Sequence, residues 1–324
     1  MKVHILDDWF DTLRHLPSYQ KLDAHDVTVW TDHLTDEAIL AERLKEAEVL
    51  VLFRERTAIT KGLLERLPKL RLISQRSVYP HVDVAACTAH NVLLSSNMHS
   101  DTPSYAAAEL TWGLILAAMR QIPQQMASLR AGLWQMGVGK TLRGRVIGLY
   151  GYGRIGREVA GYARAFGMKV VWWGSPEGRA RALAAGETVP ESREAFFAMA
   201  DVVSVHVRLK PETRGIIGPA DFAAMKPGAV FVNTSRSGLV QKGALLEALN
   251  AGHPGMAAVD VFDVEPMVDA NDPLVSHPNV IGTPHVGYVT EDELELQFSD
   301  IYDQINAYAD GAPIHMINPE VWKG

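Results

Sequence analysis

The sequence predicts an α/β protein with two doubly wound, parallel-sheet domains. The chain has 324 residues, enough for about two domains at roughly 150 residues each. Short apolar runs alternate with segments of helical periodicity, which is typical of βαβ units in a parallel sheet. One apolar run is followed at once by a glycine-rich turn and then by a helical segment. Such a turn is typical of the carboxyl end of a strand in a doubly wound sheet.

The first part of the chain supplies three predicted strands, at residues 3–6, 48–53 and 70–74. A polar stretch at 36–47 has helical spacing. Residues 104–130 predict a long helix, or two helices separated at Pro123, and the first half is apolar almost all round. A helix of that kind is buried on most sides, so we expect it between two domains or in a subunit interface.

The second part of the chain supplies six predicted strands, which suffice for one complete doubly wound domain. They lie at 146–150, 169–173, 202–207, 229–234, 255–262 and 280–283. Helical segments are predicted between them, and residues 292–311 predict a closing helix.

Composition excludes several classes of protein. Hydrophobic residues make up 47% and charged residues 21% of the chain, as in a globular domain. The 31 basic and 38 acidic residues give a net charge of −7, and no basic block offers a nucleic-acid site. No apolar run reaches the length of a membrane span or a signal peptide. The single cysteine, Cys87, cannot form an intrachain disulfide, so we expect a reducing, cytoplasmic location.

The glycine-rich turn predicts a dinucleotide site in a Rossmann-like domain. Gly151, Gly153 and Gly156 match G-x-G-x-x-G between a predicted strand and a helix. The first glycine permits a tight turn, the second permits close approach of a pyrophosphate, and the third permits helix–strand packing. The alternative is a glycine-rich turn without a ligand.

The end of the next strand bears on the choice of dinucleotide. NAD-binding folds usually place an acidic residue there to hold the ribose 2′-hydroxyl, but this chain has Gly174 and then Ser175. Arg179 and Arg181 follow, and a hydroxyl with a guanidinium suits a 2′-phosphate. The sequence therefore favours NADP(H) over NAD(H). In the alternative, both arginines are solvated helix residues and NAD(H) is also accepted.

Three later segments carry groups that suit acid–base chemistry on a carboxylic acid. Arg236, Glu265 and His285 each follow a predicted strand, at the sheet edge where ligands bind. Arginine matches a carboxylate, histidine moves a proton near neutral pH, and a nearby glutamate favours the imidazolium. Each residue alone is unremarkable in a loop, but together behind a glycine turn they predict one site.

These motifs identify a resemblance that spans most of the chain. The segments TLRGRVIGLYGYGRIGREVA, MKPGAVFVNTSRSGLV, AAVDVFDVEP and TPHVGY resemble the D-isomer-specific 2-hydroxyacid dehydrogenase family in order and spacing. The resemblance implies Arg236, Glu265 and His285 as the catalytic triad. It further implies cofactor contacts from Asp260, which orients the nicotinamide carboxamide, from Arg154 and Ile155 under the pyrophosphate, and from Thr234 near the nicotinamide.

The same resemblance implies the reaction and the domain plan. The reaction is hydride transfer between NAD(P)H and a small 2-oxo acid to give a D-2-hydroxy acid. A discontinuous substrate domain, residues 1–100 plus 289–324, and a dinucleotide domain, residues 101–288, enclose an active-site cleft. A homodimer forms through the dinucleotide domains, where the helix near 105–120 suits the interface. We expect no metal, because no His or Cys cluster has ligand spacing.

The substrate domain departs from the family pattern. Val78 stands where the family has a glycine in a carboxylate-binding loop, and a valine with positive φ would be an outlier. The loop must therefore differ, and Arg76 and Ser77 can supply new donors. Arg54 and Arg56 end a strand of the same domain.

These arginines leave the substrate class open. With Arg76 they can hold a second anionic group, which favours a phosphoglycerate-type dehydrogenase as an alternative. Otherwise Arg54 and Arg56 pair with Glu55 or Glu65 at the surface. A non-catalytic, dinucleotide-sensing binding protein of the same fold is a third interpretation. Tyr288 is expected to narrow the pocket beside His285, and His99 has no assigned role.

Overall fold

A computed structural model describes residues 1–98 and 105–324. The chain divides into two compact units, Met1–Pro103 with Val289–Gly324 (unit 1) and Ser104–Tyr288 (unit 2). The sequence placed the corresponding divisions after residues 100 and 288. His99, which the sequence analysis left without a role, lies outside the described residues.

Unit 1 contains a five-stranded parallel sheet in the order β2-β1-β3-β4-β5. Its strands are β1 (Lys2–Ile5), β2 (Asp26–Val29), β3 (Val49–Val51), β4 (Leu72–Arg76) and β5 (Leu93–Asn97). Its helices are α1 (Glu37–Leu44), α2 (Lys61–Leu64), α3 (Val84–Ala89) and, after unit 2, α11 (Glu291–Ala309). Helix α11 packs on β4 and β5, and the Ser74 hydroxyl donates to the Ile301 carbonyl at 2.9 Å. The closing helix is therefore part of the first sheet's core.

Unit 2 contains a six-stranded parallel sheet in the order β11-β10-β9-β8-β6-β7. Its strands are β6 (Val146–Tyr150), β7 (Lys169–Trp173), β8 (Val202–Val205), β9 (Val230–Asn233), β10 (Met256–Val259) and β11 (Val280–Gly282). A single parallel bridge, Val171 to Thr188, extends the sheet beside β7. The helices are α4 (Ala106–Arg120), α5 (Ile122–Arg130), α6 (Arg154–Ala165), α7 (Pro176–Ala184), α8 (Arg193–Met199), α9 (Pro219–Ala224) and α10 (Ala244–Asn250).

Short 3₁₀ segments complete the connections in both units. They are Leu13–His15, Pro17–Leu22, Pro211–Thr213, Ser237–Leu239 and Pro319–Val321. All strand pairs in both sheets are parallel. Apolar runs alternating with helical segments predicted this arrangement, and two parallel-sheet domains are confirmed.

The apolar segment after residue 104 forms two helices that separate at Gln121 rather than at Pro123. Gln121 adopts a left-handed conformation with φ of +54°, whereas Pro123 lies in the first turn of α5, where the missing N–H costs nothing. Helix α4 buries Trp112 and Ile115 in the core of unit 2. Among the described residues, neither α4 nor any other helix is long and apolar enough to cross a membrane.

Each sheet has one position where the direction of strand addition reverses. In unit 1 this topological switch point lies between β1 and β3, and in unit 2 it lies between β6 and β8. Ligands of open α/β sheets bind outside the carboxyl ends of the strands at such points. The loops that follow β1, β3, β6 and β8 are therefore the first places to look for function.

Candidate active site

The glycine turn of unit 2 follows β6 at the β6/β8 switch point. Gly151 has φ of +118°, and a Cβ there would lie 2.4 Å from the His206 carbonyl oxygen. A Cβ on Gly156 would lie 2.7 Å from the Gly151 carbonyl oxygen and 3.2 Å from the Trp172 ring. These two glycines are therefore required by packing within the protein.

Gly153 is different, because the protein leaves open space over it. A Cβ at Gly153 would have a single neighbour within 4 Å, the His206 carbonyl oxygen at 4.0 Å. Gly153 also caps α6, and within the described part of the chain this helix has no side-chain cap hydrogen bond. Arg154 and Ile155 belong to its first turn. Free N–H donors at a helix N-terminus beside open space fit a pyrophosphate, so these residues fit a dinucleotide.

The end of β7 supplies the groups predicted to bind the adenosine ribose. Gly174 is buried, and the Ser175 hydroxyl caps α7 by accepting the Gly178 N–H at 3.1 Å. The Arg179 guanidinium lies 4.3 Å above the Trp173 ring and donates to the Gly174 carbonyl at 3.0 Å. Arg181 donates to the Tyr152 carbonyl, inside the glycine turn, at 3.1 Å. Arg179 is therefore held at the end of β7, and Arg181 reaches the glycine turn.

The loop after β9 carries Arg236 and is shaped by Asn233. The buried Asn233 side chain donates to the Arg236 carbonyl at 2.9 Å and accepts the Ser235 N–H at 3.0 Å. The Ser235 hydroxyl donates to the Val205 carbonyl of β8 at 2.7 Å. Thr234 lies between Asn233 and Ser235 in the chain, and its hydroxyl is 2.7 Å from the Thr111 hydroxyl on α4. These bonds fix the base of the Arg236 loop on neighbouring strands and on α4.

Glu265 and His285 form a direct pair. The His285 Nδ1 donates to the Glu265 carboxylate at 2.6 Å, and both side chains are partly exposed. The other Glu265 oxygen accepts the Phe262 N–H at 2.9 Å. Burial by itself raises the pKa of the Glu265 carboxyl, and the hydrogen bond and charge of His285 oppose that effect. With the Phe262 N–H and the charge of Arg236, they hold this pKa below its usual range.

Asp260 supports the segment that carries His285. Its side chain is fully buried and accepts the Thr283 hydroxyl at 2.6 Å. It also accepts the N–H groups of Val286 and Gly287 at 2.9 Å each. Burial raises the pKa of the Asp260 carboxyl, and these hydrogen bonds offset only part of that effect. The role of Asp260 in orienting a carboxamide stays a prediction.

Neither residue type nor spacing indicates a function for Thr283, Phe262 or Asn233. They contribute a hydroxyl, a backbone N–H and a side-chain amide, and each acts through the folded loop rather than through a sequence pattern. His285 itself has φ of +53°, an uncommon conformation that clusters at functional sites. The Tyr288 ring meets the His285 ring edge-on at 5.7 Å. Among the described residues, no group of three or more His, Cys, Asp or Glu side chains is arranged to hold a metal.

The predicted substrate-binding residues belong to unit 1. Arg54 has φ of +59°, and its Nε lies 3.8 Å from the Glu55 carboxylate. Arg76 ends β4, is buried, and pairs with Asp300 of α11 at 2.9 Å. The positive φ expected near Val78 falls on Ser77 instead, at +77°. The loop thus reaches its turn one residue earlier, and Val78 is exposed.

Comparison with known proteins identifies the family of the chain. The family profile "D-isomer specific 2-hydroxyacid dehydrogenase, NAD binding domain" matches residues 112–287. The D-3-phosphoglycerate dehydrogenase of Methanocaldococcus jannaschii is 39% identical over 275 residues, which cover 84% of this chain and 51% of that protein. The chain therefore spans about half the length of the curated phosphoglycerate dehydrogenases that it matches.

Two further relatives match over nearly their whole length. The glyoxylate reductase of Thermococcus litoralis is 31% identical over 312 residues, 92% of each chain. The crystal structure of a phosphoglycerate oxidoreductase from Vibrio cholerae O395 has a TM-score of 0.91 and 45% identity. That match covers 96% of this chain and all of the other. The profile match, the sequence identity and the fold agree, and the chain belongs to the D-isomer-specific 2-hydroxyacid dehydrogenase family.

Proposed function

We propose that the protein is an oxidoreductase that interconverts a small 2-oxo acid and a D-2-hydroxy acid. The observation that carries this proposal is the Glu265–His285 pair, which lies in the same unit as the glycine turn. The charge of Arg236 also lowers the pKa of the Glu265 carboxyl. The bound nicotinamide dinucleotide supplies or accepts the hydride. The protein supplies binding, orientation and the proton.

The roles of the triad follow from their chemistry. Arg236 binds the carboxylate and the carbonyl oxygen of the oxo acid through its planar set of donors. His285, as imidazolium, donates a proton to the oxygen that becomes the hydroxyl. Glu265 is ionised and favours that charged form, and general acid catalysis of this kind contributes about 10²–10⁴-fold. In the reverse direction, neutral His285 accepts the proton from the hydroxy acid.

A turnover assay tests this function. Nicotinamide absorbance is followed with glyoxylate, hydroxypyruvate, phenylpyruvate, oxaloacetate and phosphohydroxypyruvate. We expect turnover of at least one acid, and we expect His285→Ala to reduce kcat by about 10²-fold or more with cofactor affinity unchanged. Tight cofactor binding without turnover of any acid would instead favour a dinucleotide-sensing binding protein.

For the cofactor, we infer a preference for NADP(H) over NAD(H). The end of β7 has no carboxylate, and the Arg179 guanidinium is held there by Trp173 and by the Gly174 carbonyl. A guanidinium in that position favours a 2′-phosphate. The ratio of kcat/KM for NADPH and NADH measures the preference, and Arg179→Ala should reduce that ratio.

We also infer a homodimer and a reducing, cytoplasmic location. Helix α4 is part of the core of unit 2, so the apolar surface available for assembly lies on α5 and the residues after it. Leu129, Leu133, Trp134 and Val138 are 58%, 73%, 70% and 90% exposed. For the location, the support is that the chain's single cysteine, Cys87, is a free and fully buried thiol.

A phosphoglycerate-type substrate is the second candidate, because several relatives carry that name. It requires a site for a second anion. The three arginines that suggested such a site are Arg54, Arg56 and Arg76. The contacts that they make within unit 1 determine whether they are available to bind a second anion.

A further inference from the structure

A cavity of about 300 Å³ lies in unit 1 at the amino ends of β4 and β5. Open α/β sheets bind their ligands at the carboxyl ends of the strands, so this cavity lies away from the switch-point loops of the same sheet. All of its lining residues belong to unit 1. Six of them carry the argument: Arg71, Asn91, Leu93, Tyr308, Trp322 and Lys323.

The chain segment that leads to Trp322 is held on β5. Asn318 is buried, and its side chain accepts the Leu94 N–H at 2.8 Å and donates to the Val92 carbonyl at 3.0 Å. The Ile317 N–H donates to the Leu94 carbonyl at 2.8 Å. These bonds fix the segment through the sheet itself, so this wall of the cavity is formed without a ligand.

Two aromatic rings meet at the cavity. Tyr308 lies in the last turn of α11, and its ring centre is 5.3 Å from that of Trp322 at an interplanar angle of 62°. Both residues are half-buried, and the buried Leu93 lines the same cavity. Small-molecule sites are typically lined by apolar and aromatic side chains with a few polar groups, and this cavity has that composition.

The polar groups of the cavity are mainly cationic. Arg71 and Lys323 are exposed, and within the described residues neither side chain has a hydrogen-bond or ion-pair partner. Burial raises the pKa of the Tyr308 hydroxyl, and the charge of Arg71 opposes that rise, which locates the guanidinium near this ring. The Glu48 carboxylate is also near, but it accepts the Lys2 N–H at 2.8 Å.

We infer that this cavity is a second ligand site, for a small organic anion that carries one flat ring. Its volume is at the lower end of the range for small-molecule sites, about 300–1,000 Å³, which suits a single ring. Arg71 binds the anionic group through its planar set of donors, and the ring packs on Tyr308 and Trp322. The inference goes beyond the proposed function, because no residue of this cavity is assigned to hydride transfer.

Calorimetric titration of the full chain tests the inference. The protein carries Arg236→Ala, which removes the carboxylate-binding group of the proposed catalytic site, and NADPH is present in excess to occupy the dinucleotide site. The probes are benzoate, phenyl phosphate, acetate and benzyl alcohol. We expect at least one ring-bearing anion to bind about tenfold or more tightly than acetate and benzyl alcohol. The tighter of the two identifies a carboxylate or a phosphate as the anionic group.

Variants of the cavity locate the binding. Arg71→Ala and Trp322→Ala should each weaken binding of the ring-bearing anion by about tenfold, and Trp322→Phe should retain most of the affinity. The matched control is Arg66→Ala, which removes another exposed arginine of unit 1 that does not line the cavity. It should bind the probes as the parent protein does. Thermal unfolding without ligand checks that each variant is folded.

Three results would overturn the inference. The first is no binding of either ring-bearing anion at millimolar concentration. The second is equal affinity for acetate and benzoate, because the ring then contributes nothing. The third is unchanged binding in Arg71→Ala together with a lower melting temperature, because Arg71 then serves only the negative C-terminal end of α11. None of these results depends on turnover of an oxo acid, so the proposed function is tested separately.

Discussion

At the residue scale, the charge on Glu265 is as consequential as its hydrogen bond to His285. The carboxyl has a pKa below its usual range because His285, the Phe262 N–H and Arg236 together outweigh burial. It is therefore ionised wherever the enzyme is expected to work. A fixed negative charge 2.6 Å from Nδ1 favours the imidazolium, which reduction of an oxo acid requires, and disfavours the neutral ring, which oxidation requires.

Glu265→Gln tests this asymmetry through pH dependence. The amide keeps the size of the side chain but removes the negative charge that faces the His285 ring, so a proton carried by that ring loses its counter-ion. We expect kcat for reduction at pH 7.5 to fall by about tenfold or more, with partial recovery at pH 5.5. Oxidation at alkaline pH should be affected less.

The control for that experiment is Glu265→Asp, which keeps the charge but shortens the side chain. Its pH profile should keep the wild-type shape even if the rate falls. An equal fall in Glu265→Gln at every pH, in both directions, would mean that Glu265 only orients the imidazole ring.

At the scale of single elements, the turn between β6 and α6 separates glycines that serve the fold from the one that serves a ligand. Gly153→Ala should leave thermal stability within about 2 °C of the wild type, because its Cβ meets only one atom, at 4.0 Å. It should weaken NADPH binding at least about tenfold, because the methyl group fills the space of the pyrophosphate.

Gly151→Ala is the matched comparison. Its Cβ would lie 2.4 Å from a carbonyl oxygen, at a φ that L-residues rarely adopt, so it should destabilise the protein by roughly 1–3 kcal/mol. Calorimetric unfolding and a fluorescence titration of NADPH measure both effects. If Gly153→Ala binds NADPH as the wild type does, the open space over Gly153 is not the pyrophosphate site.

The elements that the sequence predicted well are those with continuous apolar runs. The runs that form β1, β3, β4 and β6 through β11 were all recognised, because strands of a parallel sheet read as largely apolar. Two strands were missed. In β2, DVTV is a half-exposed edge strand, and in β5, LLSSN ends in polar residues that bond to the loop before Val78.

Predictability of the candidate site followed a similar rule. Residues whose type and spacing match a known motif, such as Gly151, Arg236 and His285, were predicted directly. The hydrogen bonds that Asp260 accepts from Val286 and Gly287 were not, because they join residues 26 and 27 positions apart in the chain. The pairing of Arg76 with Asp300 joins residues even more distant in sequence, and no local pattern reveals it.

At the scale of the whole molecule, the proposed dimer would bury the apolar surface on α5 and residues 131–138. Because burying this surface is favourable by about 25 cal/mol per Å², we expect the wild type to sediment at twice the 35.6 kDa chain mass. Leu133→Asp with Val138→Asp should shift that mass to the monomer, with unchanged circular dichroism.

The control replaces another exposed leucine of unit 2 outside this surface. Leu183 on α7 is 58% exposed, and Leu183→Asp should remain dimeric. A monomeric wild type at micromolar concentration would contradict the proposed dimer and leave this apolar surface without the partner we assign to it.

The backbone at the end of β7 constrains how the cofactor choice of this chain can be re-engineered. An acidic residue at position 174 would have room, since its Cβ would meet only Gly151 backbone atoms at 3.6 Å, but the φ of +151° resists any L-residue. Ser175 has an extended backbone, and its hydroxyl caps α7 by accepting the Gly178 N–H, a task that aspartate also performs. The shortest mutational path toward NAD(H) therefore passes through position 175, where a carboxylate can be gained without loss of the helix start.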